Sequence, residues 1–347
     1  MPQKPVTMAD IARHAGVSKA TVSAVVNGKD SVGDETRSRV QAVIDHYKYR
    51  PRSMARLQGG AARPCIGYII KEARNPYYAE ALDGILTVAQ AAGYLVEVAS
   101  SEGDLARERA IVEQFTAQDV SGLVITPILH EDADLSHLFE LKRLNVPFVL
   151  VERVRGLQAS LVDIDNVEAA REATRHLLAD GHRAVVHFAG PAYSSHSEER
   201  ARGVRLAFSE SRRAFEDAGV VHVGDALEDG YQAALDRFGD ASGRPTAVVC
   251  YNDLVALGVV RALRELGLRV PEDVSVMGFD DLEILQYLSP ALSTVHVPKR
   301  EMGERAARLL IDQIESRGHA RPERITLPVE IKLRASTAPP AEAASSP

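Results

Sequence analysis

The stretch Met8 to Asn27, MADIARHAGVSKATVSAVVN, admits few three-dimensional solutions. Thr7 stands where it can cap a first helix, and Asp10 three residues on makes a short-armed capping box. Ile11, Ala12 and Ala15 share one face of that helix, and Gly16 follows where a tight turn needs positive φ. Ser18 can cap a second helix from Lys19 to Val26 whose inward stripe is Val22, Val25 and Val26. The face left over carries Lys19, Ala20, Thr21, Ser23, Ala24 and Asn27, small or polar groups able to approach base edges and phosphates. A third helix, Asp34 to Tyr47, repeats the pattern with Val40, Val43, Ile44 and Tyr47 and closes a three-helix core. Two helices joined in this way can enter a DNA major groove; the blander alternative is a helical hairpin packed on a larger domain.

Charge favours the first reading. Before residue 64 the chain has 11 Lys and Arg against 5 Asp and Glu, whereas the whole chain carries a formal −7. A basic head on an acidic body suits a nucleic-acid reader whose body stays off the phosphates.

The segment TMADIARHAGVSKATVSAVVNGKDSVGDETRSRV, followed by YRPRSMAR, resembles the headpiece and hinge of the lac repressor family of bacterial transcription regulators. The likeness continues to about Arg334 through NPYYAEALDGI, ERARGVRLAF, CYNDLVALGVVRALRELGLRVPEDVSVMGFDD and LSTV. It implies a helix-turn-helix headpiece over 1–50, a hinge over 51–63 and an effector-binding, dimerising body over 64–334. It also implies that Met8, Ser18, Thr36, Tyr49, Arg52 and Arg56 join the exposed face of the second helix in touching DNA. In this family the hinge folds on DNA and pushes an apolar wedge into the minor groove. Family spacing puts Gln58 at the wedge position, with Leu57 one residue early. Either Leu57 serves with a rotated hinge, or this chain bends its operator less; the alternative for the whole segment is a flexible tether.

From Pro64 onward short apolar runs alternate with amphipathic stretches. CIGYII, YLVEVAS, GLVITP, PFVLVE, AVVHFAG, AVVCY and VSVMGF each precede a loop or helix, the pattern of parallel strands in βαβ units. Their number exceeds one small sheet. The expected architecture is an all-α headpiece plus a two-lobed, doubly wound α/β body like that of periplasmic sugar-binding proteins. The lobes are placed at 64–163 with 293–325, and at 164–292 with 326–334. One late strand is expected over Ile325 to Ile331, and the Pro-Ala-Ser-rich 335–347 reads as a disordered tail.

Ligands of such folds bind at the carboxyl ends of strands, between the lobes. That rule selects Asn75 with Tyr77 and Tyr78, Thr126, Glu152 with Arg153, Asp165, Asn252 with Asp253, and Asp280 with Asp281. The resemblance adds Arg200, with Arg202 as its rival, and supports Asn252 and Asp280. Amide and carboxylate groups of this kind suit the adjacent hydroxyls of a sugar, although strand-end Asn and Asp also cap helices. One departure bears on the ligand: where the family often has a stacking aromatic, this chain has Asp225, or Ala226 if a residue is missing. A polar or charged ligand, or stacking by Tyr77, Tyr78 or Tyr193, then replaces a simple pyranose.

Other chemistries find no support. There is no G-x-G-x-x-G, Walker A or G-x-S-x-G pattern, His182 and His187 lack the spacing of a helical zinc pair, and Glu131, Asp132 and Asp134 read as a solvated helix start. Cys65 and Cys250 are far apart, each beside an apolar run, and read as buried thiols. Neither a leader nor an apolar run of membrane length appears, and the tail lacks leucine heptads. The expectation is a cytoplasmic homodimeric regulator, a repressor on family grounds, without cofactor, metal or catalytic residues. It binds a pseudo-palindromic operator duplex and a sugar-like effector. The rival is a cytoplasmic binding protein or enzyme on the same two-lobed fold.

Overall fold

A computed structural model describes residues 8–26, 32–47, 64–118, 120–129, 133–192, 194–211, 219–316 and 321–341. The chain divides into two compact units, Met1–Arg63 and Pro64–Pro347.

The first unit holds helices α1 (Met8–Ala15), α2 (Lys19–Val26) and α3 (Asp34–His46). Gly16, at φ +63°, makes the turn out of α1, and the Val17 amide closes it on the Ala12 carbonyl at 3.0 Å. Ser18 caps α2: its Oγ accepts the Thr21 amide at 3.0 Å. Ile11, Ala12 and Ala15 of α1, Val22 and Val25 of α2, and Val40 and Ile44 of α3 form one buried cluster, with Val43 packed against it. Tyr47, expected in that core, is exposed and sets its ring 4.7 Å from His14. Its amide still bonds the Val43 carbonyl at 3.1 Å, and its hydroxyl lies 3.3 Å from the His14 ring nitrogens, a polar contact that holds the phenol at the surface. Thr7 and the Val26 side chain lie outside the description; Asp10 pairs with Arg13 at 2.8 Å.

The second unit is built on two six-stranded sheets. In the first, β1 (Cys65–Ile70), β2 (Leu95–Ser100), β3 (Gly122–Ile125), β4 (Phe148–Leu150), β5 (Ser160–Ile164) and β11 (Arg324–Leu327) run parallel in the order β11-β5-β4-β3-β1-β2. In the second, β6 (Val185–Ala189), β7 (Val220–His222), β8 (Ala247–Cys250), β9 (Ser275–Asp280), β10 (Ser293–His296) and β12 (Glu330–Lys332) take the order β12-β10-β9-β8-β6-β7. All pairings there are parallel except β10 with β12. Central strands such as CIGYII read apolar throughout because helices cover both faces. Ile66 and Tyr68 point to the layer of α4 (Pro76–Ala91) and α11 (Lys299–Glu315), and Ile69 points to that of α5 (Leu105–Ala117) and α6 (Ser136–Arg143). In the second lobe, α7 (Asn166–Ala179) and α8 (Ser195–Glu210) cover one face, α9 (Leu227–Phe238) and α10 (Asp253–Glu265) the other. Among the described residues no helix is long and apolar enough to cross a membrane.

Glycines let the helix pairs touch through backbone. A Cβ on Gly84 of α4 would sit 2.0 Å from the Arg300 carbonyl oxygen of α11, and one on Gly303 would sit 2.0 Å from that of Ala81. Gly84→Leu is therefore expected to force α4 and α11 apart and lower the thermal midpoint by roughly 3–10 °C. A circular-dichroism melt indistinguishable from the parent would refute that close approach.

Three corrections to the expected division arise here. β10 pairs with β9 in the second sheet, so residues 293–296 belong to the second lobe, while α11 does pack on the first. The run from Ile325 to Ile331 forms two strands in different sheets, because Pro328 has no N–H to continue a ladder. Residues 335–341 are ordered, since hydroxyls in the Pro-Ala-Ser composition find backbone partners. Ser336 Oγ donates to the Val276 carbonyl at 2.7 Å and accepts the Ser293 amide at 2.7 Å, and the Ala338 carbonyl lies 2.9 Å from His182 Nε2. The chain thus crosses between lobes after β5, after β10 and after β11.

Candidate ligand cleft and nucleic-acid interface

Parallel strands deliver their carboxyl ends to one side of each sheet, and here both sets open on the same cavity, of ≈ 70 Å³. From the first lobe come Lys71, Asn75, Tyr77 and Tyr78 after β1, Thr126 after β3, and Val151 and Glu152 after β4. From the second come His196 and Arg200 on α8, Asp225 after β7, Tyr251 and Asn252 after β8, and Asp280 at the end of β9.

Glu152 is buried and fully engaged. Its Oε2 accepts Lys71 Nζ at 2.6 Å, and its Oε1 accepts the hydroxyls of Ser194 at 2.8 Å and Ser195 at 3.3 Å. Burial pushes the carboxyl up, but the Lys71 ammonium, His196 and Ser194 outweigh it and hold it well below the usual range. Burial likewise pulls the Lys71 ammonium down, and Glu152 more than reverses this. The next residues of α8 continue the seam between lobes: His196 Nε2 lies 3.1 Å from Asp163, and Arg153 and Arg155 pair with Glu199 and Glu198. Burial opposes charge on His196, while Asp163 and Glu152 favour it and raise its pKa.

Arg200 is buried with its Nε donating to Asn166 Oδ1 at 2.9 Å and its Nη1 donating to the Tyr251 carbonyl. Its guanidinium lies 3.5 Å from the Phe279 ring centroid and 4.7 Å from that of Tyr251. Asn252 serves two ends: Oδ1 accepts the Val255 amide at 2.8 Å as the cap of α10, and Nδ2 donates to the Asp225 carbonyl at 2.8 Å. Asn75 caps α4 in the same way, Oδ1 to the Tyr77 amide at 3.0 Å. Being a cap therefore does not exclude facing the cleft. The Thr126 hydroxyl is buried on the cleft wall; the Tyr68 hydroxyl faces it, yet no bond of good geometry forms. Asp280 presents its carboxylate to the cleft from a backbone at φ +119°. Burial raises its pKa against the pull of Arg200 and Lys299, and burial together with Asp280 raises that of Asp253.

Four selected residues, Arg153, Asp165, Asp253 and Asp281, fall elsewhere. Asp165 is exposed and caps α7, Oδ1 to the Glu168 amide at 2.9 Å, and does not line the cleft. At a strand-to-helix turn the side chain that bonds the first helical turn can point along the helix rather than across the sheet end. The rival Arg202 is exposed, so only Arg200 of that pair reaches the cleft. Asp253 is buried beneath Asp280, accepting the Leu282 amide at 2.9 Å and the Thr294 hydroxyl at 2.7 Å. Asp281 pairs with His296 and Arg334. Four lining residues were missed: Lys71, Val151 and Tyr251 directly follow strands and were open to the same rule, whereas nothing in the sequence marks His196. Tyr193, Glu131 and Asp132 lie outside the described residues; Asp134 accepts the Ser136 amide at 3.0 Å at the start of α6. His187 Nδ1 bonds the Val249 carbonyl at 2.9 Å in the second sheet; Cys65 is only half-buried, whereas Cys250, in the other sheet, is buried.

In the first unit, Ser18, Lys19 and Ala20 are exposed, and Thr21, Ala24 and Thr36 are half-buried. Val22 and Val25 face the other way, into the core. The side chains of Met8 and Ser23, and the residues Asn27, Tyr49, Arg52, Arg56, Leu57 and Gln58, lie outside the description.

Residues 7–52 match the profile of bacterial regulatory proteins of the lacI family, and residues 174–337 match a periplasmic binding protein-like domain. The HTH-type transcriptional repressor PurR of Photobacterium profundum is 31% identical over 318 residues, 91% of this chain and 94% of that protein. The chain belongs to the lacI family. Among solved structures, this lacI-family chain is similar to the transcriptional regulator CelR in complex with cellobiose: TM-score 0.70, 30% identity, 95% of this chain and 99% of that one. It is also similar to the lac repressor dimer bound to operator and the anti-inducer ONPF: TM-score 0.71, 27% identity, 96% and 100% coverage. The helix-turn-helix unit and the two-sheet body are those of the family.

Proposed function

We propose that this chain is a homodimeric transcriptional repressor that reads a pseudo-palindromic operator with the exposed face of α2 and is switched by a polyhydroxylated small molecule in the interlobe cleft. The observation that carries the reading is the meeting of hydrogen-bonding groups from both lobes in one cavity: Lys71, Thr126 and Glu152 on one wall, Arg200, Asn252 and Asp280 on the other. A ligand touching both walls binds one lobe angle better than another, and that differential affinity shifts the population of lobe arrangements. The seam from Glu152 to Ser194 and from Asp163 to His196 is the part such a change strains first. With Asp225 at a stacking position, hydrogen bonding and charge dominate recognition, which favours a polar or charged sugar derivative over a simple pyranose. The dimer reading draws on the relative solved as a dimer and on Ile284, Tyr287 and Leu288, which share one exposed turn of the second lobe.

Selection of bound sequences from a random duplex pool tests this. Full-length protein is expected to enrich a palindromic motif and a copy lacking residues 1–63 to enrich none. Lys19→Ala is expected to relax base preference within the motif. If both lengths enrich equally, or neither does with or without metabolite extract, the regulator reading fails.

A further inference from the structure

Lys299 is a fully buried charge that neither the DNA-reading face nor the cleft lining uses. It opens α11, at the second crossing between lobes. Its Nζ donates to the carbonyl oxygens of Asp280 at 2.5 Å, Asp281 at 3.0 Å and Val297 at 3.4 Å, and it lies 3.2 Å from Glu80 Oε2 on α4. The carbonyls belong to the second lobe and Glu80 to the first, so one ammonium holds both. Asp280 and Asp281 stand at φ +119° and +59°, a region that side-chain-bearing residues rarely adopt. Such a conformation persists only where surroundings over-determine it, and an ammonium accepting no bonds of its own is suited to gathering several carbonyl oxygens.

We propose that Lys299 is a positioning residue for ligand recognition: it locks the Asp280–Asp281 backbone in its left-handed course, aims the Asp280 carboxylate into the cleft and ties that residue to the first lobe. This rests on the reading of Asp280 as a ligand contact. The groups that face Asp280 are Arg200 and His196 of α8, Asp253 of α10, Tyr77 and Glu80 of α4, and Lys299 itself. Arg200, Lys299 and His196 are the cations that oppose the effect of burial on it, and Glu80 adds to that effect.

The test needs neither ligand nor operator. Thermal midpoints of the full-length protein, Lys299→Met, Asp280→Asn and the double variant are measured at pH 5 and pH 8. Lys299→Met is expected to lower the midpoint by roughly 5–10 °C at pH 8, where Asp280 is ionised and has lost a partner, and by clearly less at pH 5. In the Asp280→Asn background that difference between the two pH values is expected to shrink to the smaller share that Lys299 exerts on Asp253. A penalty equal at both pH values and unchanged by Asp280→Asn would show Lys299 to be packing alone and overturn the proposal. Should Lys299→Met give no folded protein, recovery of folded protein in the double variant supports the proposal, and failure there overturns it. Loss of motif enrichment in the duplex selection would sink the regulator reading while leaving this coupling intact.

Discussion

Arg200→Lys is expected to weaken the response to effector roughly 10- to 100-fold, while operator affinity without effector stays within a few-fold of the parent. Arg200 stands at the centre of the second-lobe wall, with one nitrogen on Asn166, one on the Tyr251 carbonyl, and its plane against Phe279. That arrangement fixes the guanidinium in one orientation, so the donors it turns to the cleft are aimed before the ligand arrives. Lysine keeps the charge but has a compact head that can replace neither the fork nor the stacking. Losing a charged hydrogen bond of this kind costs about 1.5–3 kcal/mol, which is the origin of the fold-change. The measurement is the effector concentration at half response in an operator-binding titration, with a thermal melt to confirm folding. An unchanged midpoint of response would remove Arg200 from the ligand site.

Glu152→Gln is expected to have the other large effect, on stability. The carboxylate is buried with Lys71 and two serine hydroxyls, so neutralising it strands the Lys71 ammonium in the low-dielectric floor of the cleft. Breaking a buried pair from one side costs about 3–5 kcal/mol, or roughly 5–15 °C in thermal midpoint at pH 7. The pH dependence follows from the direction of the shift. Folding holds the Glu152 carboxyl below its ordinary 4.5, so its contribution is present above that pH and is lost as pH falls toward the depressed folded value. The gap between parent and variant is therefore expected to be full at pH 7 and to narrow below pH 4.5. A gap that stays constant on acidification would show that the ion pair is not its source.

The DNA-reading unit was legible because its signals are local. Gly16, Ser18 and the valines of α2 act within a few residues of one another, and a turn, a cap and an apolar stripe need no distant partner to be recognised. The strands were legible for the same reason: a run such as CIGYII is apolar throughout wherever helices cover both faces. The strand-end rule led to Asn75, Thr126, Glu152, Asn252 and Asp280, which the structure brings into one cleft, but it also led to Asp165, which caps α7 and faces solvent. Sequence cannot separate those cases, because a cap and a cleft residue occupy the same kind of turn and differ only in where the neighbouring lobe stands.

By itself, then, the sequence determined the headpiece, the alternation of strands and helices and the family to which the chain belongs, all properties of short stretches and their order. The tertiary structure alone decided what depends on residues far apart in the chain. It assigned β10 to the second lobe and split residues 325–331 between two sheets, because strand partnership is a long-range choice that apolar patterning does not encode. It ordered the start of the tail, where Ser336 supplies bonds that composition does not register. It also brought Lys71 to Glu152 across 81 positions and Lys299 to Asp280 across 19. A buried charge is stable only where its counter-charges and carbonyls converge, and that convergence exists only once the two lobes have closed around it.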